Sequence, residues 1–379
     1  MTKKKALLVV AGGRATPDVL ALYCVQPHVV IALKSKQGWQ GENAFTEIAQ
    51  SLPNYEKLQT VPDVDAYNLE KGVQACVFAC SQYPEYEWTF SISSSPKITG
   101  IAAYEVAKQK GVPCLIIDSH HKEVISLVKD IGITSRDLFE MNVERYMKIQ
   151  QRAPKEREQQ EILYRAKVEE WEDLARTLAL SPDTSDFIKE MRDKKAKEFV
   201  AFPSAFAQSS LLKALTTLKA IDIVQKNDQV ITCAFTTQNH AKFIGTGDWL
   251  EVYVWHAVNE AHFADDSQWG YEIASTANNE LDVVLTYQAQ LIFAECKTEG
   301  NPFKKKIHHL DTISAKANML GKDHVTRAFV TSEPKTQPGF ANFLEQAKLR
   351  KIVVFTQEDL SNIGQLIKRE AETPTYPRI

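Results

Sequence analysis

The stretch ELDVVLTYQAQLIFAECKT, residues 280–298, decides the fold of the second half of this chain. Apolar and β-branched residues dominate both of its halves, which predicts two strands joined by a turn near residues 287–290. Side chains alternate along a strand, so Glu295 and Lys297 share one face. Charges on so apolar a strand are costly to bury unless they are paired or bind a metal.

Asp282 precedes Glu295 by thirteen residues and lies on the first of the two strands. Carboxylates from neighbouring strands can hold Mg²⁺ or Mn²⁺, which prefer hard oxygen ligands. Lys297 projects the same way, where its ammonium could position the attacking water and stabilise developing phosphate charge. The spacing resembles the PD-(D/E)xK nuclease motif, with Leu281-Asp282 in place of Pro-Asp. The alternative is an edge strand whose acid–lysine pair faces water.

A predicted helix upstream of the hairpin begins with the acidic sequence Asp248-Trp249-Leu250-Glu251. Glu251 shares a helix face with Trp255 by i,i+4 spacing, which directs it inward toward the metal. Asp248 better suits a first-turn carboxylate that favours the helix dipole. Glu280 is a weaker candidate on the strand of Asp282. The expected catalytic residues are Asp282, Glu295 and Lys297, and the expected metal ligands are Glu251, Asp282 and Glu295.

A basic segment follows the hairpin. Residues 297–327 hold seven Lys/Arg against three Asp/Glu, and Lys304, Lys305 and Lys306 open a predicted helix. A nucleic-acid backbone could dock there, although a solvated helix face is the alternative.

The first third of the chain alternates predicted strands and helices. The runs at residues 5–12, 28–35, 86–93 and 113–119 are apolar and are separated by stretches with helical spacing. Such alternation indicates a doubly wound, mostly parallel sheet. The helix after the first strand is expected to have Thr16 at its N-cap and Pro17 at its first position.

Two strand-to-helix loops in this region have the character of phosphate-binding loops. One is Gly12 to Pro17 and the other is Ser91 to Thr99, and both precede a helix whose free N–H groups can bind an anion. For each loop taken alone, the alternative is an ordinary strand-to-helix connection that binds no ligand. The candidate ligand-binding residues are Gly12, Gly13, Arg14, Thr16, Ser35, Ser93, Ser94, Ser95, Lys97 and Thr99.

Composition limits the class of protein. The 379 residues carry 45 Lys plus Arg and 48 Asp plus Glu, a net charge of −3 that argues against a protein coated wholesale by polyanion. No stretch approaches the roughly 18 consecutive apolar residues of a membrane span, and the start of the chain does not resemble a secretory signal. Six scattered cysteines without zinc spacing favour the reducing cytoplasm. Residues 137–201 are charged and predicted to be helical.

Taken together, these features resemble the CRISPR ancillary nucleases that join a CARF (CRISPR-associated Rossmann fold) domain to a PD-(D/E)xK domain. The most specific motifs are at residues 247–251, 279–283 and 295–298. The resemblance implies an α/β fold class: a Rossmann-like, mostly parallel sheet over 1–140, a helical connector over 141–225 and a restriction-endonuclease-like α/β domain over 226–379. Where the family often has TGGTK, residues 93–97 read SSSPK, so only Lys97 matches.

The resemblance also implies a function. The first domain would bind a cyclic oligoadenylate, usually the tetra-adenylate, across a homodimer, and binding would activate metal-dependent cleavage of DNA, RNA or both. Two rivals remain open. One is a constitutive repair or restriction nuclease, and the other is a nucleotide sensor without catalysis.

Overall fold

The computed structural model describes residues 3–376 apart from 14, 36–37, 40, 120, 133–135, 194–198, 275–278, 299–300 and 305–306. The chain divides into two compact units, Met1–Ala153 with Gln288–Gln290 and Pro154–Tyr287 with Leu291–Ile379. Each unit combines helices with a sheet that has parallel strands, which confirms the expected α/β fold class. Within the described part of the chain, no helix combines the length and the apolar character needed to cross a membrane.

The first unit is built on a six-stranded sheet in the order β3-β2-β1-β4-β5-β6. The strands are β1 (Lys5–Ala11), β2 (Val29–Ser35), β3 (Lys57–Val64), β4 (Glu87–Ser91), β5 (Cys114–Asp118) and β6 (Glu123–Ser126). The helices are α1 (Ala15–Val25), α2 (Glu42–Gln50), α3 (Leu69–Ser81), α4 (Lys97–Lys110) and α5 (Val143–Ile149). The pairs from β3 to β5 are parallel, and β6 runs antiparallel to β5.

The four predicted strands of this unit are confirmed as β1, β2, β4 and β5. They read as continuous apolar runs because helices cover both faces of a parallel sheet. One local expectation is wrong: α1 begins at Ala15, so Thr16 lies inside the first turn and is not the N-cap. The strand order reverses between β1 and β4, and open α/β sheets bind ligands at the carboxyl ends of strands at such a point.

The second unit has a five-stranded sheet in the order β10-β11-β12-β13-β14 and a three-stranded sheet in the order β7-β9-β8. The strands are β7 (Phe199–Pro203), β8 (Ile221–Lys226), β9 (Val230–Phe235), β10 (Asp266–Glu272), β11 (Glu280–Tyr287), β12 (Gln290–Lys297), β13 (Val325–Thr331) and β14 (Ile352–Phe355). The helices are α6 (Gln159–Arg165), α7 (Glu172–Leu180), α8 (Thr184–Asp193), α9 (Ser210–Thr217), α10 (Gln238–Thr246), α11 (Asp248–Glu260), α12 (Ile307–Leu320), α13 (Phe340–Leu349) and α14 (Ile363–Glu372).

The segment expected as a helical connector, residues 141–225, is helical only in part. It also contains β7 and most of β8, and both strands pair antiparallel with β9. A boundary at residue 226 would therefore cut the three-stranded sheet. The division into units instead falls after Ala153, and α5 belongs to the first unit.

The predicted hairpin is confirmed as β11 and β12. Its two turn residues, Gln288 and Ala289, have φ angles of 49° and 60°, the left-handed values that a two-residue hairpin turn needs. Helix α11 packs against one face of this hairpin, where Leu250 and Val254 belong to the same buried cluster as Ala294 and Cys296. The opposite face carries Asp282 and Glu295.

Candidate active site and ligand loops

The three predicted catalytic residues meet on the hairpin. Lys297 Nζ lies 3.1 Å from Oδ2 of Asp282 and 2.9 Å from Oε1 of Glu295. The backbone N–H of Cys296 also donates to Oδ2 of Asp282, at 2.7 Å. Asp282 and Glu295 are 5% and 6% exposed, so these contacts are made almost out of water. The water-facing edge pair considered as the alternative is therefore excluded.

Lys316, which the strand motif does not indicate, is a fourth member of this cluster. Its Nζ lies 2.5 Å from Oε2 of Glu295, and the side chain is buried. Lys316 lies three residues after Ile313 and four before Leu320, and both of these are fully buried on α12. A lysine on the apolar face of a helix was the available signal.

Glu251 lies in the first turn of α11, as expected. Its Oε2 accepts a hydrogen bond of 2.8 Å from Nε1 of Trp269 on β10. Burial raises the pKa of Glu251 well above its ordinary value, and the charges of Asp282 and Asp248 raise it further. This helix acid therefore belongs to the same electrostatic cluster as the hairpin acids.

The two hairpin acids differ in their charge environment. Burial raises the pKa of Asp282 to about 6, and the neighbouring Glu295 charge contributes. Burial alone would also raise the pKa of Glu295, but Lys297 and Lys316 together bring it below its ordinary value. Burial would lower the pKa of Lys297, yet the charges of Asp282 and Glu295 raise it, so this ammonium keeps its proton.

The donor set suits a hard divalent cation. The cluster holds three carboxylates and two ammonium groups. Asp282 raises the pKa of Glu251 and Glu295 raises the pKa of Asp282, as expected where negative charge is concentrated. Carboxylate oxygens are the ligands that hard divalent cations prefer. Within the described residues, however, no three His, Cys, Asp or Glu side chains stand as a ready-made metal cluster. The contacts explain this, because Glu295 is held between Lys297 and Lys316 while Glu251 turns to Trp269.

The other acidic candidates, Asp248 and Glu280, contact residues outside the cluster, and the basic candidate Lys304 is exposed. Asp248 accepts from the hydroxyls of Tyr164 at 2.7 Å and Thr246 at 2.5 Å, and Glu280 pairs with Arg165 at 2.7 Å. Helix α12 begins at Ile307, so Lys304 precedes it as an exposed residue. Lys305 and Lys306 lie outside the described residues.

The sequence motifs at residues 247–251 and 295–298 are in direct contact. Gly247 has a φ of +97°, and a Cβ placed on it would lie 2.3 Å from Oγ1 of Thr298. Glycine is therefore needed for both the backbone conformation and the close approach. This contact joins the start of α11 to the end of β12 and so fixes Glu251 relative to Glu295.

In the first unit, the structure brings the two predicted loops together at the carboxyl ends of β1 and β4. A Cβ on Gly12 would lie 1.5 Å from the carbonyl oxygen of Ser94, so only glycine fits. Among the described residues other than its chain neighbours, none comes within 4 Å of the corresponding position on Gly13. The loop of Ser93 to Ser95 therefore closes onto the end of β1 at the reversal of strand order.

The serine hydroxyls of this loop hold the loop itself. Ser93 Oγ accepts from the N–H of Ile117 at 2.8 Å, and Ser95 Oγ donates to the Ile92 carbonyl at 2.8 Å. Ser94 Oγ lies 2.8 and 2.7 Å from the two carboxyl oxygens of Asp18. The donors that the SSS sequence offers to a phosphate are thus engaged with the protein at Ser94 and Ser95.

The buried carboxyl group of Asp18 supports this loop from beneath by its contact with Ser94. It is fully buried in α1 and also accepts from Nε1 of Trp39 at 3.2 Å. Burial raises the pKa of Asp18 to about 8, although its hydrogen bonds with Ser94 and Trp39 oppose the rise.

The other candidate ligand residues are distributed unevenly. Lys97 is exposed at the first position of α4, a helix whose N-terminus has no side-chain cap. Thr99 is 3% exposed, and its hydroxyl faces the Ala66 carbonyl, so it serves the fold. Thr16 and Ser35 are partly buried, and Arg14 lies outside the described residues.

Residues 237–372 match the family model described as Card1-like, endonuclease domain. This part of the chain is thus similar to Card1-like endonuclease domains. The matched region contains the whole cluster of Glu251, Asp282, Glu295, Lys297 and Lys316. No curated protein has a matching sequence.

Solved structures share the fold over almost the whole chain. The protein VC1899 from Vibrio cholerae has a TM-score of 0.74 at 15% identity, with 98% of this chain and 99% of that chain covered. Can2 from Sulfobacillus thermosulfidooxidans, solved with cyclic tetra-adenylate, has a TM-score of 0.68 at 19% identity, with 96% and 98% covered. A type III CRISPR defence DNA nuclease activated by cyclic oligoadenylate has a TM-score of 0.55 at 15% identity. That alignment spans all of this chain and 54% of the nuclease.

Proposed function

We propose that this protein is a metal-dependent endonuclease of type III CRISPR defence, activated when its first unit binds a cyclic oligoadenylate. The observation that carries the proposal is the buried meeting of Asp282, Glu295 and Lys297 inside the region similar to Card1-like endonuclease domains. Similarity in fold to Can2, which was solved with cyclic tetra-adenylate, supports this ring as the activator.

Within the matched region, Glu251, Asp282 and Glu295 would hold Mg²⁺ or Mn²⁺ through carboxylate oxygens. When bound, such an ion supplies Lewis-acid activation of the scissile phosphate and of a water molecule. Lys297 keeps its proton, because Asp282 and Glu295 raise its pKa. It therefore acts as a fixed positive charge near the developing phosphate charge and not as a general base. DNA, RNA or both are the proposed substrates.

In the first unit, the ring would lie at the carboxyl ends of β1 and β4. The donors there are the backbone of Gly12 and Gly13, the uncapped N-terminus of α4 and the exposed Lys97. Ser93, Ser94 and Ser95 then shape the loop. Arg14, Thr16 and Ser35 remain proposed contacts from neighbouring positions. A two-fold symmetric ring fits a cleft on a two-fold axis, so the proposed active species is a homodimer.

The test is a cleavage assay on supercoiled plasmid, single-stranded DNA and RNA with Mn²⁺. Each substrate is incubated without ligand, with cyclic tetra-adenylate and with cyclic hexa-adenylate. Cleavage only with one ring is the expected result and identifies the activator. Cleavage regardless of ring would favour the constitutive nuclease, and no cleavage in any arm would favour the sensor. Light scattering with and without ring tests the homodimer.

A further inference from the structure

The Glu251 carboxylate is held by a side chain from the edge strand of the sheet. Trp269 on β10 donates its indole N–H to Oε2 of Glu251 at 2.8 Å. Trp269 is 8% exposed, so the hydrogen bond forms in a largely dry environment. A donor to a carboxylate restricts its rotation, and partners of this kind orient metal-binding side chains in proteins generally.

Trp269 is itself fixed by Arg165 at the end of α6. The guanidinium lies 4.6 Å from the indole ring centroid, and Nη1 donates to the Trp269 carbonyl at 3.2 Å. Arg165 is anchored in turn by Glu161 at 2.8 Å and Glu280 at 2.7 Å. Trp269 is thus held through both its ring and its backbone.

Gly270, the residue after Trp269, shows how closely the Arg165 guanidinium packs against β10. A Cβ placed on Gly270 would lie 1.7 Å from Nη1 of Arg165, and Gly270 has a φ of +61°. Glycine at this position leaves the space that the guanidinium occupies. Any larger side chain would push Arg165 away from the tryptophan.

The segment that leads to Arg165 follows the same strand. Residues 154–165, here called the β10 strap, are the first residues of the second unit. Pro154 forms a β-bridge with Ile273, Lys155 pairs with Glu272 at 2.6 Å, and Arg157 donates to the Gly270 carbonyl. The strap therefore binds along β10 and ends over the ring that holds Glu251.

We propose that Trp269, fixed by Arg165 of the β10 strap, is a positioning residue that orients Glu251 for binding the divalent ion. This rests on the proposed function, in which Glu251 is a metal ligand. The Card1-like match begins at residue 237, so the β10 strap lies outside it and extends the active site to a preceding part of the chain.

The experiment titrates Mn²⁺ into the full-length protein by calorimetry, without nucleic acid. Trp269→Phe keeps an aromatic ring beneath Arg165 and removes the N–H donor together with the five-membered ring. Loss of such an outer partner typically weakens metal affinity by about 10–100-fold. The matched control is Trp255→Phe, since Nε1 of Trp255 has no hydrogen-bond partner in the part of the chain that the structure describes. The control is expected to stay within about twofold of the wild type.

Two further variants keep the result interpretable. Glu251→Gln tests the proposed function: if it binds Mn²⁺ like the wild type, the assignment of Glu251 as a ligand is wrong. If Glu251→Gln weakens binding but Trp269→Phe behaves like Trp255→Phe, the positioning role is overturned. Arg165→Lys keeps the charge and loses the planar fork. Its expected effect lies between control and Trp269→Phe, and wild-type affinity in this variant would refute the part assigned to the strap.

Discussion

Lys316 Nζ lies 2.5 Å from Oε2 of Glu295, on the side of the carboxylate away from Lys297. Both side chains are more than nine-tenths buried. Lys297 and Lys316 together lower the pKa of Glu295, which burial alone would raise. Helix α12 thus contributes a cation that the ExK motif on the strand does not contain.

We expect Lys316→Met to destabilise the second unit by about 3 kcal/mol, at the low end of the cost of breaking a buried ion pair, because Lys297 still faces Glu295. The measurement is the free energy of unfolding in urea. Lys335→Met is the control, since Lys335 pairs with Asp359 at 3.2 Å in an exposed position. Exposed pairs contribute about 1 kcal/mol or less. Equal small losses in both variants would contradict a stabilising role for Lys316.

The cleavage reaction provides the second prediction. Lys297→Met and Glu295→Gln should each lower the rate of cleavage by at least about 100-fold, since each removes a charge that the proposed function places beside the reacting phosphate or its metal. Binding of cyclic tetra-adenylate, measured by calorimetry on the same preparations, should be unchanged. Lys348→Met, an exposed lysine on α13, controls for charge alone. A Lys297→Met protein that cleaves as fast as this control would refute the site.

Local pattern predicted the hairpin and the proximity of Asp282, Glu295 and Lys297, because side-chain alternation along a strand is readable from sequence. Lys316 was missed, since it lies on a separate helix and meets Glu295 only in the folded domain. Trp269 is likewise not readable from local pattern, since it lies on β10 and meets Glu251 only in the folded domain.

In the serine loop, the folded structure adds contacts that the sequence pattern does not indicate. Ser93, Ser94 and Ser95 have the composition of a phosphate-binding loop, yet two of the three donate to the protein. The cause is the buried Asp18 carboxylate and the tight approach to Gly12, neither of which is visible in the order of residues. Hydroxyl-rich composition therefore indicated the location of the loop better than the role of its side chains.

The close approach at Gly12 leads to the third prediction. Gly12→Ala would place a methyl group on the Ser94 carbonyl and should destabilise the first unit by about 1–3 kcal/mol, the usual cost of overpacking. Displacement of the loop should also weaken ring binding by at least about tenfold. In Gly13→Ala, the added methyl group points away from the described neighbouring residues. This substitution should therefore change the free energy of unfolding by less than about 0.5 kcal/mol. Equal destabilisation by the two substitutions would show that the loops are not in contact.

The buried carboxyl of Asp18 makes the stability of the first unit depend on pH. Burial raises the pKa of Asp18 from 3.8 to about 8. Between these values the folded state keeps a proton that the unfolded state has released, so folding stability falls as pH rises. Between the two pKa values, the free energy of unfolding falls by up to about 1.4 kcal/mol per pH unit. The stabilisation that comes from the protonated Asp18 carboxyl is therefore present in full only at low pH.

Asp18→Asn should remove this slope, because the amide does not titrate and can still accept from Ser94. The measurement is the urea midpoint of the first unit's transition between pH 5 and pH 8. Asp65→Asn, at a solvent-accessible carboxylate that pairs with Lys71 at 3.8 Å, should keep the wild-type slope. If Asp18→Asn lost stability with pH as steeply as the wild type, the proton would reside on another group and Asp18 would be ionised in the folded protein.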